Sequence, residues 1–94
     1  MLNDIVAVEP LDGYRLKLQF DDGVLGIVDV AQLVPLTGVF APLRDRNEFL
    51  AAQVNTELGT VCWPSGADLD PDVLYAIVTG AGLPLAQRAA ESLK

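Results

Sequence analysis

Residues 14–24 constrain this chain more than any other stretch. Tyr14, Leu16, Leu18 and Phe20 alternate with Arg15, Lys17 and Gln19. Side chains of a strand point to opposite faces in turn, so strict period two marks a half-buried strand with one wet face. Asp22-Gly23 follows at once, a strong hairpin signal because Gly accepts positive φ. An antiparallel pair is therefore expected, with the returning strand over Val24 to Val30. Upstream, Ile5-Val6-Ala7-Val8 is a short β-branched run, and Pro10-Leu11-Asp12-Gly13 has the residues of a turn. The first thirty residues thus predict a three-stranded meander.

The register of the return strand is open at this level. A two-residue loop at Asp22-Gly23 pairs Phe20 with Leu25 and buries Leu25 and Ile27. A three-residue loop with a bulge at Gly23 buries Val24 and Val28 instead. The strand is apolar on both faces until Asp29, which predicts a central strand or one covered on both sides.

Further on, Val30 to Val34 suits one helical turn before Pro35, and Thr37-Gly38 reads as a loop. Asp45 is a good N-cap, with Glu48 placed as in a capping box, which predicts a helix from Arg46 to Gln53. Val54 to Leu58, Gly59 and Thr60 to Trp63 read as a second hairpin. Asp70-Pro71-Asp72 is the clearest helix start, with a cap, a proline suited to the first position and an acid at the positive end of the dipole. Val73, Leu74, Ile77 and Val78 fall on one face of that helix, which ends at Gly80 and Gly82. Leu85, Ala89 and Leu93 recur at helical spacing. The expected fold is α+β: a small, mainly antiparallel sheet of about five strands, the meander plus the hairpin, with two or three short helices packed on it. Residues 1–82 form one domain in this reading, and residues 83–94 a short helical tail.

Composition narrows the function classes. The chain has 94 residues, which suits one domain. Its 51% apolar content is too high for a disordered acidic chain. Six Lys+Arg stand against 13 Asp+Glu, so the formal net charge of −7 argues against direct binding of nucleic acid through a general basic surface. There is one Cys and no His, which argues against a disulfide framework and removes the commonest metal ligand and general base. No targeting segment or apolar run long enough to span a bilayer is seen, so a reducing cytoplasm is the expected compartment. A chain this small buries a modest core, and a homodimer would cover leftover apolar surface.

Several groups invite a chemical reading. Asp68, Asp70 and Asp72 form a D-x-D-x-D run. The calcium loop needs Gly at its sixth position and Glu at its twelfth, and here those are Val73 and Thr79. Helix capping accounts for the run better than metal. Cys62 has no His to activate it, and no Lys or Arg lies between Arg46 and Arg88. Ser65 lacks the G-x-S-x-G elbow. Asp21-Asp22 sits at a hairpin tip, where water keeps both ionised. Arg15, Lys17, Arg44 and Arg46 would make a local basic patch if the fold brings them together. Trp63 and Tyr75 read as core residues first and as interface anchors second. No catalytic residue, cofactor or metal site is assigned on these grounds.

Three strings together resemble a known family. They are Phe20-Asp21-Asp22-Gly23 with Asp29; Phe40, Leu43 and Phe49; and Trp63-Pro64-Ser65-Gly66-Ala67-Asp68-Leu69-Asp70-Pro71 followed by Leu74-Tyr75. Over residues 3 to 79 the chain is similar to the bacterial domain-of-unknown-function family numbered 2442. The resemblance implies a small α+β domain with a mainly antiparallel sheet and no established catalytic residue. It also implies a gene neighbourhood of small proteins suspected to form toxin–antitoxin pairs. Some members carry a C-terminal helix-turn-helix segment, and too few residues follow Thr79 here for one. The motif has a plain structural reading beside this. Pro64 ends a strand, Gly66 allows a turn, Asp68 bonds loop amides, Asp70 caps a helix begun by Pro71, and Leu74 packs back on the sheet.

The first functional expectation is a non-enzymatic module that binds another protein, such as the product of an adjacent gene, in an antitoxin-like role. The second is a regulatory or ligand-sensing domain linked to DNA through a partner. The third is a metal-dependent enzyme built on Asp68, Asp70 and Asp72.

Overall fold

The computed structural model describes residues 3–80. The expected tail helix over 83–94, and Gly82, lie outside the described residues. The elements are β1 (Ile5–Pro10), β2 (Arg15–Phe20), β3 (Leu25–Asp29), α1 (Val30–Leu33), a 3-10 helix (Gly38–Arg44), α2 (Arg46–Leu50), β4 (Gln53–Asn55), β5 (Thr60–Cys62) and α3 (Pro71–Thr79). This is a small α+β fold. Its five strands divide between a three-stranded sheet ordered β1-β2-β3 and a two-stranded hairpin of β4 and β5, all antiparallel.

β2 keeps strict alternation, with Leu16, Leu18 and Phe20 buried and Arg15, Lys17 and Gln19 exposed. The β2–β3 loop has three residues. Gly23 donates to the Phe20 carbonyl at 2.9 Å and takes φ of 90°. The Phe20 amide donates to the Val24 carbonyl at 2.9 Å. Asp22 Oδ1 accepts from the Val24 amide at 3.0 Å. This loop decides the register in favour of Val24 and Val28. Val28 is 3% exposed, whereas Leu25 and Ile27 are 58% and 54% exposed. β3 is therefore an edge strand covered on one face only, not a central or doubly covered one. Two apolar faces did not mean two partners.

Asp29 ends β3 and caps α1 by accepting from the Ala31 amide at 3.0 Å. Asp45 caps α2 through the Asn47 amide at 2.9 Å. The capping box itself does not close. Glu48 reaches across instead, its Oε2 accepting from the Ser65 amide at 2.8 Å. α2 stops at Leu50, short of Gln53, because the chain must straighten there to enter β4. β4 likewise ends at Asn55, whose side-chain oxygen accepts from the Glu57 and Leu58 amides and forms the turn. Asp70 caps α3 through the Asp72 amide at 2.9 Å, and Gly80 closes it with φ of 73°. Leu74 is buried and Tyr75, Ile77 and Val78 pack on the core, while Val73, expected on that inner face, is exposed.

The core lies between the inner face of β1-β2-β3 and a layer made of β5, α2, α3 and the 3-10 helix. A backbone bond ties the two sheets together, Ile5 donating to the Gly59 carbonyl at 2.8 Å, while Asp21 donates to Asp4 at 2.8 Å and extends the β1–β2 pairing. Among the described residues no helix is long and apolar enough to cross a membrane.

Candidate interaction surface

The segment Trp63–Asp70 folds as a short hairpin after β5. Gly66 donates to the Trp63 carbonyl, Trp63 donates to the Ala67 carbonyl, both at 2.9 Å, and Leu69 donates to Val61 at 3.1 Å. Asp68 is exposed opposite Cys62 in an isolated bridge, and its carboxylate bonds no loop amide among the described residues. Trp63 is only 2% exposed. Its Nε1 donates to the Phe49 carbonyl at 3.0 Å, and its ring lies 6.2 Å from the Phe49 ring. Its place is in the core, so it is not available as an interface anchor. The strand, the turn and the helix start follow the motif's structural reading.

Tyr75 stands at the rim. Its ring meets Phe20 edge-on at 5.0 Å, and its hydroxyl donates to Asp22 Oδ2 at 2.5 Å. This bond lowers the Asp22 pKa, helped by the Val24 amide, and raises that of Tyr75. The structure thus joins two strings that the sequence shows far apart, the β2–β3 loop and the start of α3.

Three of the four basic residues are engaged locally, and Arg15 and Arg46 both lie close enough to Asp12 to lower its pKa. Arg15 pairs with Asp12, which lowers the Asp12 pKa. Arg44 Nε donates to the Leu36 carbonyl at 2.7 Å. Arg46 donates to the carbonyls of Gly13 and, at 2.5 Å, Leu11, while its guanidinium lies 5.3 Å from the Phe49 ring centre. It clamps the β1–β2 turn onto α2. Lys17 is exposed on the outer sheet face. Cys62 is half-buried and unpaired. Asp70 is occupied as a cap, and among the described residues no group of three or more His, Cys, Asp or Glu is placed to hold a metal ion.

The place of the exposed apolar surface is what sequence reasoning left open. Val6, Leu25 and Ile27 are each more than half exposed on the three-stranded sheet. Leu25, with Ala7, Glu9, Lys17 and Gln19, borders a shallow groove of about 430 Å³ across the outer face. A second groove of about 340 Å³, more apolar, runs between Leu33, Phe40, Val73 and Ile77. The length of the Asp22-Gly23 loop controls which β3 residues are outside, and the dipeptide alone is compatible with both lengths.

Architecture and surface define a small α+β domain whose outer sheet face is uncovered among the described residues. The family model described as Protein of unknown function (DUF2442) matches residues 5–80, and the chain belongs to that family. No significant match is found among curated proteins or among solved structures.

Proposed function

We propose that this domain is a non-enzymatic protein-binding module. In this reading it is the antitoxin-like partner of a small protein encoded beside it. The supporting observation is the exposure of Leu25 and Ile27 on an otherwise well-packed sheet whose inner positions are closed. Apolar side chains grouped at a protein surface favour burial by a partner. The net charge of −7 adds preference for a basic partner and speeds its encounter. Two of the acidic groups that invite a catalytic reading have structural partners: Asp70 caps α3 and Asp22 holds Tyr75.

Co-expression with the adjacent gene product, followed by size-exclusion chromatography, tests the reading. A stoichiometric complex that dissociates when Leu25 and Ile27 are replaced by Lys supports it. Separate elution of the two proteins, with no relief of any growth inhibition by the neighbour, overturns it.

A further inference from the structure

The two edges of the three-stranded sheet are built differently. β1 is blunted. A bulge interrupts its register between Ile5 and Ala7, Pro10 ends it, and the Ile5 amide is taken by Gly59. These are ways in which sheets avoid unwanted pairing. β3 has none of them. Its residues Leu25-Gly26-Ile27-Val28-Asp29 carry no bulge against β2, no proline and no lysine.

Register shows which way its backbone points. Phe20 donates to Val24, and Val30 donates to Tyr14. Hydrogen-bonded pairs alternate along an antiparallel ladder, so Gly26 and Val28 also bond inward to Leu18 and Leu16. Leu25 and Ile27 therefore aim their N–H and C=O groups away from the sheet. Neither group has a partner among the described residues, and both side chains lie on the exposed outer face. An open row of alternating donors and acceptors is complementary to another extended backbone.

Charge narrows the occupant. Asp21 and Asp22 stand at one end of β3 and Asp29 at the other. The nearest bases, Lys17 and Arg15, lie one strand inward, beside Glu9 and paired with Asp12. A second copy fits poorly. The antiparallel register that joins Leu25 to Ile27 sets Asp29 opposite Gly23, beside Asp22, so acid meets acid at both ends. We propose that the β3 edge receives an extended segment of a partner protein by strand addition. That segment has apolar residues at alternate positions to lie beside Leu25 and Ile27, and Lys or Arg at its two ends. This inference rests on the protein-binding reading and names its contact.

The test is titration of the isotope-labelled full chain with the capped peptide Lys-Thr-Val-Thr-Val-Thr-Lys, followed by NMR. The expected result is shifting and slowed exchange of the Leu25 and Ile27 amides, weakening as salt rises. Ile27→Pro removes an outward donor together with the Ile27 side chain and should weaken binding at least tenfold, one hydrogen bond being worth about that much. The same peptide methylated on its central amide nitrogens tests the backbone without altering the protein and should lose binding. Shifts elsewhere, full binding by the methylated peptide, or no binding at millimolar peptide would overturn the proposal. So would self-association through β3, seen as concentration-dependent shifts without peptide. If the adjacent gene product binds equally well to the folded Ile27→Pro variant, the edge assignment fails while the protein-binding reading survives.

Discussion

Both carboxylate oxygens of Asp22 are occupied, one by the Val24 amide that closes the β2–β3 loop and one by the Tyr75 hydroxyl from α3. The pH dependence follows from the signs of the two shifts. The folded Asp22 pKa lies below its ordinary value, so its contribution is full above that value and fades as pH falls through the folded pKa. Tyr75 is raised above 10.0, so its contribution is full below that value and is lost as pH rises through the raised pKa. In a Tyr14→Phe background only Tyr75 reports phenolate absorbance. Adding Asp22→Asn there should move the midpoint downward, and an unmoved midpoint would show that the bond does not form in solution. Trp63 allows a second test at this scale. Trp63→Ala should cost about 3–5 kcal/mol in urea denaturation, because it removes a buried ring. Trp63→Phe should cost less, about 1–3 kcal/mol, from the smaller ring and the lost Nε1 bond to the Phe49 carbonyl, which keeps the Ala52 amide as a donor.

At the scale of elements, α3 and β3 meet through one small residue. A Cβ at Gly26 would strike Val78 Cγ1 and lie only 3.0 Å from Val78 Cβ. Valine is stiff, so the helix would have to move. Gly26→Ala should destabilise by about 1–3 kcal/mol, and Val78→Ala in the same chain should recover part of that loss. Equal losses with and without Val78→Ala would mean that the two elements do not touch there. The same region marks where the sequence was legible and where it was not. Alternation of Leu16, Leu18 and Phe20 identifies β2 because a single strand's faces are written in its own residues. Asp70-Pro71-Asp72 identifies the start of α3 for the same local reason. The outward face of β3 depends on one residue more or less in a loop, and the end of α2 on where β4 must begin. Neither is a local property. The contact of Tyr75 with Asp22 spans 53 positions, and no pattern in either string announces the other. Trp63 is a different case. Its ring read as core first and interface second, and its burial with the N–H on the Phe49 carbonyl places it in the core.

The molecule as a whole draws one core from both sheets. Leu16 and Phe20 come from the meander, Val61 from the β4–β5 hairpin, and Phe49 and Leu74 from the helices. The sheets are also joined through Ile5 and Gly59. Unfolding in urea should therefore be a single transition, with Trp63 fluorescence and far-UV circular dichroism superimposable. Two separated midpoints would mean that the hairpin melts independently. The chain still need not open all at once. β2 is hydrogen-bonded on both sides, whereas α3 rests mainly on β3, which pairs on one side only among the described residues. Lifting α3 breaks the Tyr75–Asp22 bond and exposes Leu74, yet leaves the β1-β2-β3 ladder standing. Amide protons of α3 would then escape to solvent through this smaller opening, while those of β2 wait for the whole domain to come apart.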